Sequence, residues 1–422
     1  MKTTAALLLA GLLTLPVCLH ASIAISTPAE RFVVQRTAAN TGTIPITGTY
    51  TATPDRIEAR AVVMPGANAG ATTAWQTITA SPGGGAFSGN LTNVPAGGWY
   101  QIEVRSVTGV TPSATATRIK VGVGDLFITA GQSNAANHGE PAQSPTNDLV
   151  SAFNLNTSAW QVANDPQPYA TGSGGSPWPA FGDQLAARTQ LPVGIVAVAM
   201  GGSYVSQWVP NTGTYYPRLN LAINALNNYG GFRAILWHQG EEDSRDATTP
   251  ANYASRLTTI INQTRTDAGF NVPWGVALAS RYPGTTAPNE AQVIAGQWQV
   301  ITNTPGVFKG AETDRYHTVG WLSDVIHFNA TGLRDHGRQW SVAVWYSLLN
   351  RIPCTNELIL TNGTATVIVH GSPGCKYVLQ TTTNLMESWS SLSTNVAGTN
   401  GLLNFSVPVG SASRLFYRTA QP

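Results

Sequence analysis

The first residues that suggest chemistry are Gly131-Gln132-Ser133-Asn134, which follow a short apolar run at 126–130. Ligands of open α/β sheets bind outside the carboxyl ends of the strands, so a serine placed there stands where chemistry is expected. Gly131 allows a sharp turn, and a helix starting just after Ser133 would aim free backbone N–H groups at nearby negative charge. A serine hydroxyl is a poor nucleophile until a base takes its proton, and that base needs a carboxylate to orient it. Asp324-Val325-Ile326-His327 offers both within one local turn, just before a helical stretch. Taken singly, the serine reads more readily as a helix cap, and Asp-x-x-His is a frequent coincidence. Taken together they describe an activated serine.

Two further segments belong with them. Trp237-His238-Gln239-Gly240-Glu241-Glu242-Asp243 packs polar groups densely behind an apolar run. Gln239 is expected to offer an amide donor to an oxyanion, with Glu241 and Asp243 bracing the site. The rival, a metal held by His238, Glu241 and Asp243, matches no zinc spacing, and His-Glu-x-x-His is absent; no metal is expected. Gly201-Gly202-Ser203 follows another apolar run, where a missing Cβ lets a backbone N–H approach a substrate. Glu241 stays open as a rival to Asp324 for the acid. Trp178 and Trp208 lie near these segments and are candidate substrate contacts by stacking, with core packing as the alternative. His138 is expected to border the cleft without acting as the base.

The elements that must hold these residues fall into three stretches. Residues 25–121 alternate apolar and polar, as in Ile57-Glu58-Ala59-Arg60-Ala61 and Tyr100-Gln101-Ile102-Glu103-Val104, between Gly and Pro clusters. That period argues for an antiparallel β-sandwich. From 122 to 351 the pattern changes. Apolar runs at 126–130, 193–199, 232–237 and 274–279 read as buried parallel strands, and 252–267 and 330–349 as helices, which makes an α/β layer structure. Residues 352–422 return to strand patterns and read as a small β module.

Composition narrows the function classes. Charged residues are only 10% of the 422, against roughly 25% in an average domain, and the net charge is +2 with no basic stripe. Nucleic-acid binding lacks its electrostatic footprint, and a polar, weakly charged surface suits neutral ligands. Lys2, the apolar 5–17 and the small residues after it read as a signal peptide ending near residue 21, so the chain is expected to be secreted. No later stretch is long and apolar enough for a membrane span. Removing the signal also removes Cys18 and leaves Cys354 and Cys375, an even pair expected to form a disulfide in an oxidising compartment.

The four blocks Gly131–Asn134, Gly201–Ser203, Trp237–Glu241 and Asp324–His327, in that order, resemble those of the SGNH hydrolases. Gln-Ser-Asn and Trp-His-Gln-Gly-Glu are similar to the sialate O-acetylesterase and acetylxylan esterase branch of carbohydrate esterases. The resemblance covers roughly 124–349. It implies a flavodoxin-like three-layer parallel sheet, flanked by an N-terminal Ig-like β-sandwich and the C-terminal β module. It also implies roles: Ser133 attacks an acetyl carbonyl, His327 moves the proton, and Asp324 orients His327. The Ser133 and Gly202 amides and the Gln239 side chain would receive the oxyanion. The implied partner is an acetylated carbohydrate, and acyl transfer by an activated serine needs no cofactor. A glycan-binding or adhesion protein, and a lipase or thioesterase on the same fold, are the competing readings.

Overall fold

The computed structural model describes residues 21–349 except 67–69. Of the C-terminal stretch it describes 355–420 except 362, 371–375, 385–387, 397–401 and 410–413. The expected signal peptide and the Cys354–Cys375 pair therefore lie outside the described residues.

Eight strands form the first part: β1 (Ile23–Thr27), β2 (Val33–Gln35), β3 (Thr41–Tyr50), β4 (Arg56–Val63), β5 (Gln76–Ala80), β6 (Ala86–Pro95), β7 (Trp99–Thr108) and β8 (Thr111–Gly131). β1, β3 and β6 make one antiparallel sheet. β5, β4, β7 and β8 make a second antiparallel ladder, with β2 running parallel to β8. Ile44, Ile46, Leu91, Ile57, Ala59, Ile102 and Val104 are fully buried between them, because alternate residues of a strand point to one face.

β8 is 21 residues long and continues through the change of pattern seen in the sequence. Up to Lys120 its residues alternate between half-buried and exposed; from Val121 to Gly131 every residue is buried. One strand thus edges the first ladder and then becomes the centre of the second sheet. Lys120 is left-handed at this switch (φ 53°). Gly124 lies so close to its neighbour that a Cβ would sit 1.9 Å from the Pro192 carbonyl oxygen.

The second sheet adds β9 (Val150–Asn154), β10 (Ala159–Val162), β11 (Val193–Ala197), β12 (Ala234–His238), β13 (Trp274–Leu278) and β14 (Val307–Glu312). Its order is β10-β9-β11-β8-β12-β13-β14, parallel except for the edge strand β10. Successive strand residues feed opposite faces. Phe127, Ile195, Ala234 and Leu236 pack against α1 (Trp178–Thr189) and α6 (Ala330–Val344). Ile128, Val196, Ile235 and Trp237 pack against α2 (Tyr216–Asn227), α4 (Pro250–Ala268) and α5 (Ala287–Asn303); α3 (Glu241–Arg245) is a single short turn. The result is the expected α/β layering, with three outer strands, β9, β10 and β14, beyond those expected. Helix ends follow local chemistry. Thr249 caps α4 by accepting from Asn252 N, with Pro250 at its first turn and left-handed Gly269 at its end. Asn329 caps α6 by accepting from the Thr331 and Gly332 amides.

Six more strands, β15 (Thr355–Thr361), β16 (Thr364–His370), β17 (Lys376–Thr382), β18 (Ser390–Val396), β19 (Leu402–Pro408) and β20 (Phe416–Ala420), form two three-stranded antiparallel sheets. They share a small core of Val367, Val369, Tyr377, Leu379, Leu403 and Phe405.

Candidate active site

β8 and β12 end side by side, with Gly131 paired to His238. Gly131 has φ 126°, and a Cβ there would lie 1.9 Å from the His238 carbonyl oxygen. Only glycine fits so close an approach, and it turns the chain into Ser133. The expected helix after Ser133 is a single 3₁₀ turn, Ser133–Ala135, which Ala136 ends in extended backbone. So short a turn has no appreciable macrodipole. What it offers is the amide of Ser133, which opens the turn and has no partner within it.

The loop before α6 meets this turn. Asn134 Nδ2 donates to the Ile326 carbonyl at 3.3 Å, and Glu140 N donates to the Phe328 carbonyl at 3.0 Å. The residue after Ser133 is thereby tied to the residue before His327. His327 Nδ1 lies 2.7 Å from Asp324 Oδ2, and Asp324 Oδ1 accepts the Ile326 and His327 amides, each at 2.7 Å. Partial burial raises the Asp324 carboxyl, but those two amides and the imidazole outweigh it and hold it below its ordinary range. With Nδ1 committed to the carboxylate, Nε2 is the nitrogen free to act as a base. His138 stacks on His327, ring centres 5.3 Å apart, and borders the cleft; burial and then the neighbouring His327 push its pKa down.

Gly202 faces the cleft from the β11 side. It is exposed and left-handed (φ 66°), and among the described residues its amide makes no hydrogen bond. Its neighbour Gly201 is fixed by donation to Thr171 Oγ1 at 2.7 Å. Val205 N donates to Asp243 Oδ2 at 2.8 Å, which braces the loop against the end of β12.

Gln239 stands elsewhere than its expected role requires. Its side chain is fully buried, and Nε2 faces three acceptors: Asp243 Oδ2 at 2.6 Å, the Ser203 carbonyl at 3.1 Å and Gln132 Oε1 at 3.2 Å. Both amide hydrogens are spent inside the protein, so Gln239 clamps the loops together and has none left for an oxyanion. Glu241 is also fully buried. Its Oε1 accepts Asn134 Nδ2 at 2.9 Å and lies 3.7 Å from His238 Nδ1. Burial pushes its carboxyl up to about 7 and pushes His238 down to about 4. Glu241 therefore reaches Asn134, whereas Asp324 reaches His327. Among the described residues no cluster of His, Cys, Asp or Glu is arranged to hold a metal ion.

Neither tryptophan is a substrate contact. Trp178 and Trp208 are fully buried. Trp178 Nε1 donates to the Ala135 carbonyl at 2.8 Å, and Trp208 Nε1 to Ser203 Oγ at 2.9 Å. Each supports a site loop from behind. Sequence reasoning also passed over Gln132, whose Oε1 accepts Gln239 Nε2 and the Gly240 and Glu242 amides, each at 3.2 Å. A second omission is a rim beside Gly202. Arg245 there pairs with Glu242 at 2.7 Å and bonds the Tyr204 hydroxyl at 2.5 Å and the Tyr282 hydroxyl at 3.2 Å. Burial raises the Glu242 carboxyl against the pull of Arg245. The Glu-Glu-Asp-Ser-Arg run was the signal for it, since charges three apart share a helix face. A cavity of about 660 Å³, lined by Arg36, Phe232, Arg233 and Phe270, lies at the opposite, amino end of the strands and is unrelated to Ser133.

Comparison with known proteins bears on the family and the fold. A probable carbohydrate esterase of Arabidopsis thaliana is 25% identical over 171 residues, which is 35% of this chain and 65% of that relative, just under two thirds of its length. Among solved structures, a carbohydrate acetylesterase from Xanthomonas citri aligns over 89% of this chain and 95% of its own, at 17% identity and TM-score 0.50, so the fold is shared. An Arabidopsis thaliana protein aligns over 52% of this chain and 96% of its own, at 20% identity and TM-score 0.43. Residues 123–345, more than half of the chain, match the SASA family model, described as carbohydrate esterase, sialic acid-specific acetylesterase, and the chain belongs to that family.

Proposed function

We propose that this protein is a serine esterase that removes O-acetyl groups from carbohydrates. The observation that carries the proposal is the Asp324–His327 pair, 2.7 Å apart and tied through Ile326 and Asn134 to the turn that bears Ser133. In this reading Ser133 Oγ attacks the acetyl carbonyl while His327 Nε2 takes its proton. The oxyanion is met by the Ser133 and Gly202 amides. His327 then delivers the proton to the departing sugar oxygen, and water hydrolyses the acetyl-enzyme by the same steps. Asp324 stays ionised throughout and holds the imidazole tautomer. The acylated carbohydrate substrate is supported by the family membership and by the polar, weakly charged composition.

The test is acetate release from p-nitrophenyl acetate and from acetylated xylan by wild type and Ser133→Ala. Release that vanishes in the variant supports the reading; equal release by both, or none by either, overturns it. Export through residues 1–21, a Cys354–Cys375 bridge, an Ig-like N-terminal sandwich and a C-terminal β module belong to the same proposal. Intact mass with and without reductant checks the bridge, and an unchanged mass removes it.

A further inference from the structure

We infer that Glu242 is a specificity residue, whose carboxylate accepts a hydrogen bond from a free hydroxyl next to the ester under attack. This rests on the esterase reading and narrows its substrate class to monoacylated vicinal diols, the arrangement that a partly acetylated sugar ring presents.

Gly202 leaves a hollow where a side chain would be. Glu242 Oε1, 4.0 Å away, is the single atom of the described residues within reach of a Cβ placed there. The hollow thus opens on one side to a carboxylate oxygen and on the other to the free Gly202 amide. Glu242 is 7% exposed. Its Oε2 is buried and lies 2.7 Å from Arg245 without forming a hydrogen bond among the described residues, while Oε1, the oxygen that faces Gly202, has no hydrogen-bond partner there and is not sealed from solvent. An ionised carboxylate oxygen with no protein donor is free to accept from a substrate hydroxyl in place of water. The Glu242 amide is anchored on Gln132 Oε1 at 3.2 Å, one residue from the nucleophile, so its position is set by the same loops.

A bare carboxylate beside an oxyanion site would repel the charge that develops there. Arg245 offsets it and is itself held by two tyrosine hydroxyls. What remains is an acceptor that favours a neutral donor. A carbonyl oxygen seated on the Gly202 amide brings the ester-bearing carbon into the hollow, and with it the hydroxyl on the adjacent carbon. Sites built to bond a substrate hydroxyl discriminate against analogues that lack it.

The experiment uses a matched pair: a methyl xyloside monoacetate with a free neighbouring hydroxyl, and the same compound with that hydroxyl replaced by hydrogen. Wild type is expected to prefer the hydroxyl compound in kcat/KM by roughly 10- to 100-fold, the worth of a hydrogen bond to a charged acceptor. In Glu242→Gln, and more completely in Glu242→Ala, that preference collapses to below about 3-fold; the Ala variant serves if the Gln variant does not fold. An undiminished preference in folded variants, or no preference in wild type, overturns this inference alone. Absence of Ser133-dependent cleavage of both compounds overturns the esterase reading and this inference with it.

Discussion

At the residue scale the two acids near the site separate by environment. Asp324 is half-exposed, bound to His327 and held low by two amides and the imidazole. Glu241 is sealed beneath Asn134 and pushed up to about 7. Asp324→Asn is therefore expected to lower kcat by a factor on the order of 10³–10⁴, because an amide no longer selects the working tautomer. Glu241→Gln, which keeps an acceptor for Asn134, is expected to lose far less. Steady-state kinetics of the two variants decide, and the reverse order makes Glu241 the acid. Glu241 carries a second expectation. Its folded pKa lies above its ordinary 4.5, so its contribution to stability is complete below pH 4.5 and is lost as pH rises through about 7. A shift of that size corresponds to about 3 kcal/mol. Glu241→Gln mimics the protonated form, so its stability relative to wild type should grow between pH 4.5 and 8. Parallel denaturation curves across that range would contradict it.

At the element scale the site is two loops clamped by buried indoles and amides. The sequence made the strands legible because a parallel strand buried on both faces reads as a continuous apolar run, as at Ile128 and Ile235. It also showed the change near residue 121, where β8 passes from one buried face to two. The outer strands were not legible: β9, β10 and β14 are short and carry Ser, Asn, Gln, Lys or Glu among their apolar residues. Side-chain direction was not legible either. Trp178 and Trp208 stand near the blocks in sequence, yet their rings point into the layers behind the loops, which only the packing of α1 and of the Val205–Trp208 turn determines. Gln239 was misread for the same reason, since a residue at a strand's end can face the cleft or the loop beneath it. The indole bonds make a test. Trp178→Phe keeps an aromatic ring but loses the indole N–H and leaves the Ala135 carbonyl unpaired, which should cost about 1–3 kcal/mol of stability and lower kcat several-fold through a loosened Ser133 turn. Unchanged kcat in a destabilised variant would confine Trp178 to the core.

At the scale of the whole molecule the first ladder and the α/β sheet share a strand and a buried charge cluster. Asp125, 1% exposed in β8, receives Arg36 from the end of β2 at 2.9 Å and Arg233 from the start of β12 at 2.7 Å. Gln35 adds a further bond to the same carboxylate at 3.2 Å, and its own Oε1 accepts the Leu126 amide. One carboxylate thus joins three segments at the point where the two parts meet. Removing a partner from such a cluster leaves uncompensated charge, which typically costs about 3–5 kcal/mol. Asp125→Ala is expected to lose that much, and to lose it from both parts at once, because β8 cannot leave one sheet while remaining in the other. Thermal unfolding of residues 21–349 should then be a single transition in wild type that moves as one in the variant, whether followed by the tryptophans of the α/β layers or by β-sheet circular dichroism. Two transitions, with only the α/β signal shifted by Asp125→Ala, would mean that the shared strand transmits no stability and that the first ladder folds independently of the site it adjoins.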